Sequence, residues 1–181
     1  NLSNKLLSHI DILDTVRPCL RKLSAEIGET VHFVQLDGLD AVYICKEESQ
    51  QNSIRMVSKV GSRIPLYCSG VGKAMMADMD FARIQTIWND SDIKKLTPHT
   101  IIDYTQFLEK IKEVSTKGYA LDDEENELGV RCIAVSIPDY KGRPKYAFSI
   151  SAPIARMSDE RIEELAKIVL QVKEKICRCM K

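Results

Sequence analysis

The chain has 181 residues, 44% of them hydrophobic and 29% charged, and its 26 Lys and Arg balance 26 Asp and Glu to a formal net charge of zero. That length carries one domain with a sizeable core, and the apolar content excludes disorder, which needs low hydrophobicity and unbalanced charge. No apolar run approaches the roughly 20 residues of a membrane span, and an overall basic footprint for nucleic acid is missing. The six cysteines, at 19, 45, 68, 132, 177 and 179, form no C-x-x-C pair and no Cys/His set. This argues against a zinc site and reads as reduced thiols in a cytoplasmic protein. The start at Asn1 has no signal-peptide pattern and reads as a piece of something longer.

Leu6, Leu7, Ile10 and Leu13 recur at helical spacing, as do Leu20, Leu23 and Ile27, and Pro18 predicts a second helix that starts with Asp14 as its cap. Gly28 predicts its end. From Thr30 the period changes: 30–36 and 41–46 read as strands joined by a hairpin through Asp37 and Gly38, and 54–60 reads as a third strand. Val71, Ala74, Met75 and Met79 then form a helical face, followed by Phe81, Ile84 and Trp88, with the methionines as core filler. Residues 89–102 are polar and read as a loop. Asp103 predicts a capped helix with the stripe Phe107, Ile111 and Val114, ending at Gly118. Strands are predicted over 128–137 and 145–152, joined by the turn 139–142. A last helix, capped by Ser158, carries Ile162, Leu165, Val169, Val172 and Ile176. The strands come as hairpins, so the fold class is α+β, an antiparallel sheet flanked by helices rather than a parallel doubly wound one.

Three stretches carry residues suited to chemistry. In 68–74, Tyr67 stands where a phosphate loop needs its first glycine and Ala74 where it needs a hydroxyl, while Met75 replaces the third glycine of a dinucleotide fingerprint. Two readings stay open for Gly70 and Gly72: backbone N–H groups at a helix start that attract an anion, or a tight turn into the helix. The acidic run 122–127 lacks the ligand offsets and central glycine of a calcium loop and reads as a solvated connection, with Asp122 set apart behind the apolar 119–121. In 147–152, Phe148 and Ile150 face one way and Ser149 and Ser151 the other, while Val130, Cys132 and Ala134 share a face of the preceding strand. With Cys132 and the serines on one side, the sheet offers a small polar floor for a ligand; the alternative is a serine pair facing solvent. Two other classes compete. A thiol enzyme would use Cys132 and needs a base, for which the chain offers only His9, His32 and His99, and His32 reads as a satisfied sheet residue. The other is a purely structural dimerisation module.

The stretches Arg63–Ala74, Gly118–Ala134 and Phe148–Pro153, with Arg156 following, resemble in order and spacing the effector-binding domain of IclR-type bacterial transcription regulators. The likeness runs from about residue 14 to 176. It implies a GAF-like fold, a curved antiparallel sheet with helices on both sides. It also implies that residues 1–13 end an interdomain linker helix, that 14–181 form the effector-binding domain, and that a winged-helix DNA-binding domain belongs upstream. By the same resemblance a small organic acid, sugar acid or aromatic compound binds here. Gly70 and Val71 contribute backbone donors, Asp122 and Cys132 the wall, Ser149 and Ser151 hydroxyls, and Met56 the apolar side. Val71 stands where the family often has alanine or threonine, a departure that leaves open how wide the pocket is at this point. No cofactor, metal or catalytic residue is implied. The expected partners are a small-molecule effector, further copies of the chain in a dimer or tetramer, and DNA only through the upstream domain, with no membrane.

Overall fold

The structure, a computed structural model, describes residues 2–50 and 57–180, with side chains from residue 12 onward. Its first element, α1 (Leu2–Ile27), runs unbroken through Pro18. The separate helix capped by Asp14 does not form. Pro18 removes one backbone hydrogen bond and crowds the preceding turn, a cost of about 3 kcal/mol. Val16, Leu20 and Leu23 on either side are buried against the sheet, and each such side chain returns about 1.5–3 kcal/mol.

Strands β1 (Thr30–Asp37) and β2 (Asp40–Glu47) form the expected hairpin, with Gly38 in the left-handed region at φ 67°. The third strand lies later than predicted. Residues 54–56 are outside the described residues, and 57–60 are not a strand. The partner of β2 is instead β3 (Arg63–Pro65), with Ile64 opposite Ala41. Val57 and Val60 are largely exposed, so residues 57–60 bury no apolar face. Ile64 does bury its side chain.

Two helices follow rather than one face: α2 (Gly70–Met76) and α3 (Phe81–Asp90), the second started by Asp80, whose Oδ1 accepts from Arg83 N at 2.8 Å. Asp103 caps α4 (Tyr104–Lys117) in the same way, and Gly118 ends it at φ 78°. A short strand not separated in the sequence, β4 (Ala120–Asp123), precedes β5 (Val130–Pro138) and β6 (Pro144–Pro153). A 3-10 turn at Ile154–Arg156 leads into α5 (Asp159–Cys179), capped by Ser158.

Among the described residues six strands make one antiparallel sheet in the order β3-β2-β1-β6-β5-β4. Both of its faces are covered, and they differ in side-chain size. Val31, Phe33, Ile133, Val135, Phe148 and Ile150 pack with α1 and α5. On the other face Ala120, Ala134 and Ala147 lie under α2, in one apolar cluster with residues of α3 and α4. Small residues let α2 lie close to the sheet, and beside that contact the face turns polar. No helix among the described residues is long and apolar enough to cross a membrane.

Candidate functional site

Strand register builds the site. Asp122 on β4 lies opposite Cys132 on β5, Cys132 opposite Ser151 on β6, and Ser151 opposite Thr30 on β1. One row along, Ala120 pairs with Ala134, Ala134 with Ser149, and Ser149 with His32. Residues opposed across antiparallel strands point to the same face, so both rows line the side of the sheet that α2 covers. Ser149 and Ser151 are 4% and 3% exposed, which overturns the solvent-facing alternative.

Helix α2 ends against these rows. A Cβ on Gly70 would stand 3.3 Å from Ala134 Cβ and 3.4 Å from Asp122 N, so the bare glycine sets the helix start directly on β4 and β5. A Cβ on Gly72 would fall 2.2 Å from the carbonyl oxygen of Leu66, a contact no side chain tolerates. Tight packing is therefore a real task of both glycines. Ser69 caps the helix, accepting from Gly72 N at 3.1 Å and donating to Pro65 O at 2.7 Å, and its carbonyl takes Lys73 N at 3.0 Å. That leaves Gly70 and Val71 as first-turn N–H groups without a helical acceptor. In a helix of seven residues they act as hydrogen-bond donors more than as the end of a long dipole.

The acidic run is only in part the solvated connection that its composition predicts: Asp123 and Glu127 are exposed. Asp122 and Glu125 are both buried. Asp122 Oδ1 accepts from the backbone N of Glu125 at 2.9 Å and of Asn126 at 3.3 Å. The loop is clamped from outside by Thr97, whose hydroxyl donates to Glu124 O at 2.6 Å, and by Thr100, which donates to Glu125 O at 2.6 Å. The Glu125 carboxylate pairs with Lys73, a fully buried residue of α2. Composition hides this because the partner lies on another element.

Burial outweighs the nearby Lys73 charge and the two backbone donors, and pushes the Asp122 carboxyl up to about 7. The Glu125 carboxyl is also raised by burial, with Lys73 opposing. Burial, with the Asp122 charge beside it, pushes the Cys132 thiol well above its usual range. A nucleophilic thiol needs the opposite shift and a base. His32, beside Ser151, is buried and bonded elsewhere: Nδ1 lies 3.3 Å from Ser151 Oγ and Nε2 2.6 Å from Ser58 Oγ. Burial, with the Lys46 charge adding, lowers its pKa to about 3.

Of the seven residues expected to line the site, Gly70, Val71, Asp122, Cys132, Ser149 and Ser151 come together around this face; Met56 lies outside the described residues. Sequence reasoning missed Tyr43 and the position of His32. Their rings pack at 4.9 Å between centroids, and the Tyr43 hydroxyl, raised by burial, also feels Cys132 and Asp122. Pairing β1 with β6 is the signal that places His32 beside the serines. Among the described residues no three His, Cys, Asp or Glu side chains are grouped as metal ligands.

A two-faced antiparallel sheet with a buried polar floor under a short capped helix defines an α+β domain with a candidate ligand site. Residues 4–178 match the family described as "Bacterial transcriptional regulator IclR C-terminal", and the chain belongs to it. It is 35% identical over 175 residues to the HTH-type transcriptional regulator KdgR of Escherichia coli, covering 97% of this chain and 66% of that protein. The crystal structure of the Thermotoga maritima IclR superposes with a TM-score of 0.89 at 33% identity, over 93% of this chain and 68% of that one. The inducer-binding domain of the transcription factor PobR from Acinetobacter, a double mutant in complex with 3-hydroxybenzoic acid, superposes with a TM-score of 0.82 at 25% identity, over 91% and 96%. The chain spans just under two thirds of the length of the curated relatives it matches.

Proposed function

We propose that residues 14–181 sense a small organic acid or sugar acid for a transcription regulator whose DNA-binding segment lies outside this chain. The observation that carries this reading is the row Asp122–Cys132–Ser151, with Ser149 beside it, set under the two uncommitted N–H groups of Gly70 and Val71. Two hydroxyls and two backbone donors suit a carboxylate. Asp122, near its midpoint at neutral pH, donates to such a ligand when protonated and accepts from its hydroxyl when ionised. Binding rather than catalysis is the role, since the thiol is desolvated and no base among the described residues is hydrogen-bonded to it. The effector acts through unequal affinity for two arrangements of a homo-oligomer. The complex between PobR and 3-hydroxybenzoic acid supports an acid as ligand class.

The test is a thermal-shift and calorimetric screen of pyruvate, lactate, gluconate and 3-hydroxybenzoate. At 100 times its dissociation constant a true effector stabilises by about 2.7 kcal/mol. A saturable shift that is lost in the Ser149→Ala/Ser151→Ala variant supports the reading. No saturable shift with any of the four, or one unchanged in that variant, overturns it in favour of a structural module.

A further inference from the structure

The polar floor continues past the residues assigned to the ligand. His32 faces the same side, opposite Ser149, and touches a hydroxyl at each ring nitrogen: Ser151 at Nδ1 and Ser58 at Nε2. Ser151 belongs to the site. Ser58 does not lie on the sheet at all; it sits in the segment 57–62 that leads into β3. That segment is fastened to β2 by Gly61 N to Tyr43 O at 2.8 Å and Tyr43 N to Ser62 O at 3.1 Å. The carbonyl of Ser58 accepts from Lys46 Nζ at 2.9 Å, and the Tyr43 ring holds the imidazole in place.

A buried imidazole next to an ammonium stays neutral, so it has one N–H and one lone pair. Each serine has one hydroxyl hydrogen. These counts leave two self-consistent arrangements. In the first, Ser151 spends its hydrogen outward and must accept from Nδ1–H; Nε2 then carries the lone pair, and Ser58 donates to it. In the second, Ser151 donates to Nδ1, Nε2 carries the hydrogen, and Ser58 accepts. The number of protons is the same in both, and every bond in the chain reverses direction between them. A carboxylate has acceptors only, so contact with Ser151 requires the first arrangement.

We propose that His32 is a positioning residue that transmits the sense of the effector's hydrogen bond at Ser151 to Ser58, so that an acid group in the site fixes the Nδ1–H form and makes Ser58 a donor. This rests on the acid-binding reading above, which it extends to the segment beyond the sheet.

The test uses protein labelled with [15N]histidine, which has only three histidines, His32 being identified by its loss in His32→Gln. Whichever of pyruvate, lactate, gluconate or 3-hydroxybenzoate gives the largest thermal shift is added to saturation, and the ring nitrogens are read by NMR. The expected bound spectrum shows His32 protonated at Nδ1. Binding should weaken about tenfold in His32→Leu and less in His32→Gln, which keeps one donor and one acceptor. Ser58→Ala, remote from the ligand, should lower affinity several-fold and blur the tautomer. A bound form protonated at Nε2, or nitrogens averaged between the two forms, overturns the relay while leaving acid binding intact. If no acid binds the wild-type protein, the site reading falls and the relay with it.

Discussion

Lys73 on α2 and Glu125 on the β4–β5 loop form an ion pair in which the lysine side chain is wholly buried. The second carboxylate oxygen of Glu125 has no hydrogen-bond partner among the described residues, so Lys73 is the principal side-chain partner of this carboxylate. Through it, the helix that opens with Gly70 is tied to the loop whose backbone caps Asp122.

Removing one partner of that pair should be costly. Lys73→Met leaves a carboxylate buried and unpaired, at about 3–5 kcal/mol, whereas Lys73→Met/Glu125→Leu should recover most of the loss. Urea denaturation of the two variants measures this. A single variant within about 0.5 kcal/mol of wild type would show that the pair is solvated in solution.

Asp122 makes stability depend on pH. The folded carboxyl keeps its proton up to about pH 7, while an unfolded aspartate releases it near 3.8. Between those values the native state binds more protons than the unfolded one, so stability falls as pH rises, by up to about 1.4 kcal/mol per unit, and levels off above 7. Asp122→Asn should remove this slope. Denaturation midpoints at pH 4.5, 5.5, 6.5 and 7.5 decide it, since equal slopes in both proteins would mean that Asp122 is ionised throughout. Affinity for a carboxylate should likewise drop above pH 7 in wild type only.

The two glycines of α2 should respond differently to the same methyl group. Gly72→Ala drives a Cβ into the Leu66 backbone and should cost about 3 kcal/mol or more. Gly70→Ala meets Ala134 at 3.3 Å and should cost about 1 kcal/mol while weakening acid binding, because the helix start lifts off the sheet. Circular-dichroism melts rank the pair, and a reversed order would rule out this packing.

Ser149 and Ser151 should separate binding from stability. Ser151→Ala removes a partner of His32 and should destabilise the free protein by about 1 kcal/mol; Ser149, with no side-chain hydrogen bond shown to a described residue, should cost less. Either change should weaken an acid ligand about tenfold or more, the worth of a hydrogen bond to a charged group. Calorimetry on each variant checks both halves, and unchanged affinity in both would move the ligand off this floor.

Much of the fold was legible because it is periodic. The alternation of 147–152, the stripe from Ile162 to Ile176 and the caps at Asp103 and Ser158 are local signals, and all appear as predicted. Pro18 misled because a local helix breaker was outweighed by burial of its neighbours, and 57–60 misled because β-rich composition does not guarantee an apolar face to bury. Cys132, Ser149 and Ser151 could be nominated from their alternation, Gly70 from its place at a helix start and Asp122 from its place behind the apolar 119–121, and the family resemblance added Val71 and Met56.

Sequence by itself determined which residues of each strand share a face, since that follows from the two-residue repeat of the backbone. It could not decide which faces meet, because register and helix docking depend on contacts between residues far apart in the chain. Only the tertiary structure placed Asp122 opposite Cys132, set His32 beside Ser151 and paired Glu125 with Lys73. The same acidic run that reads as a surface loop becomes a buried cap for the site once α2 supplies the opposite charge.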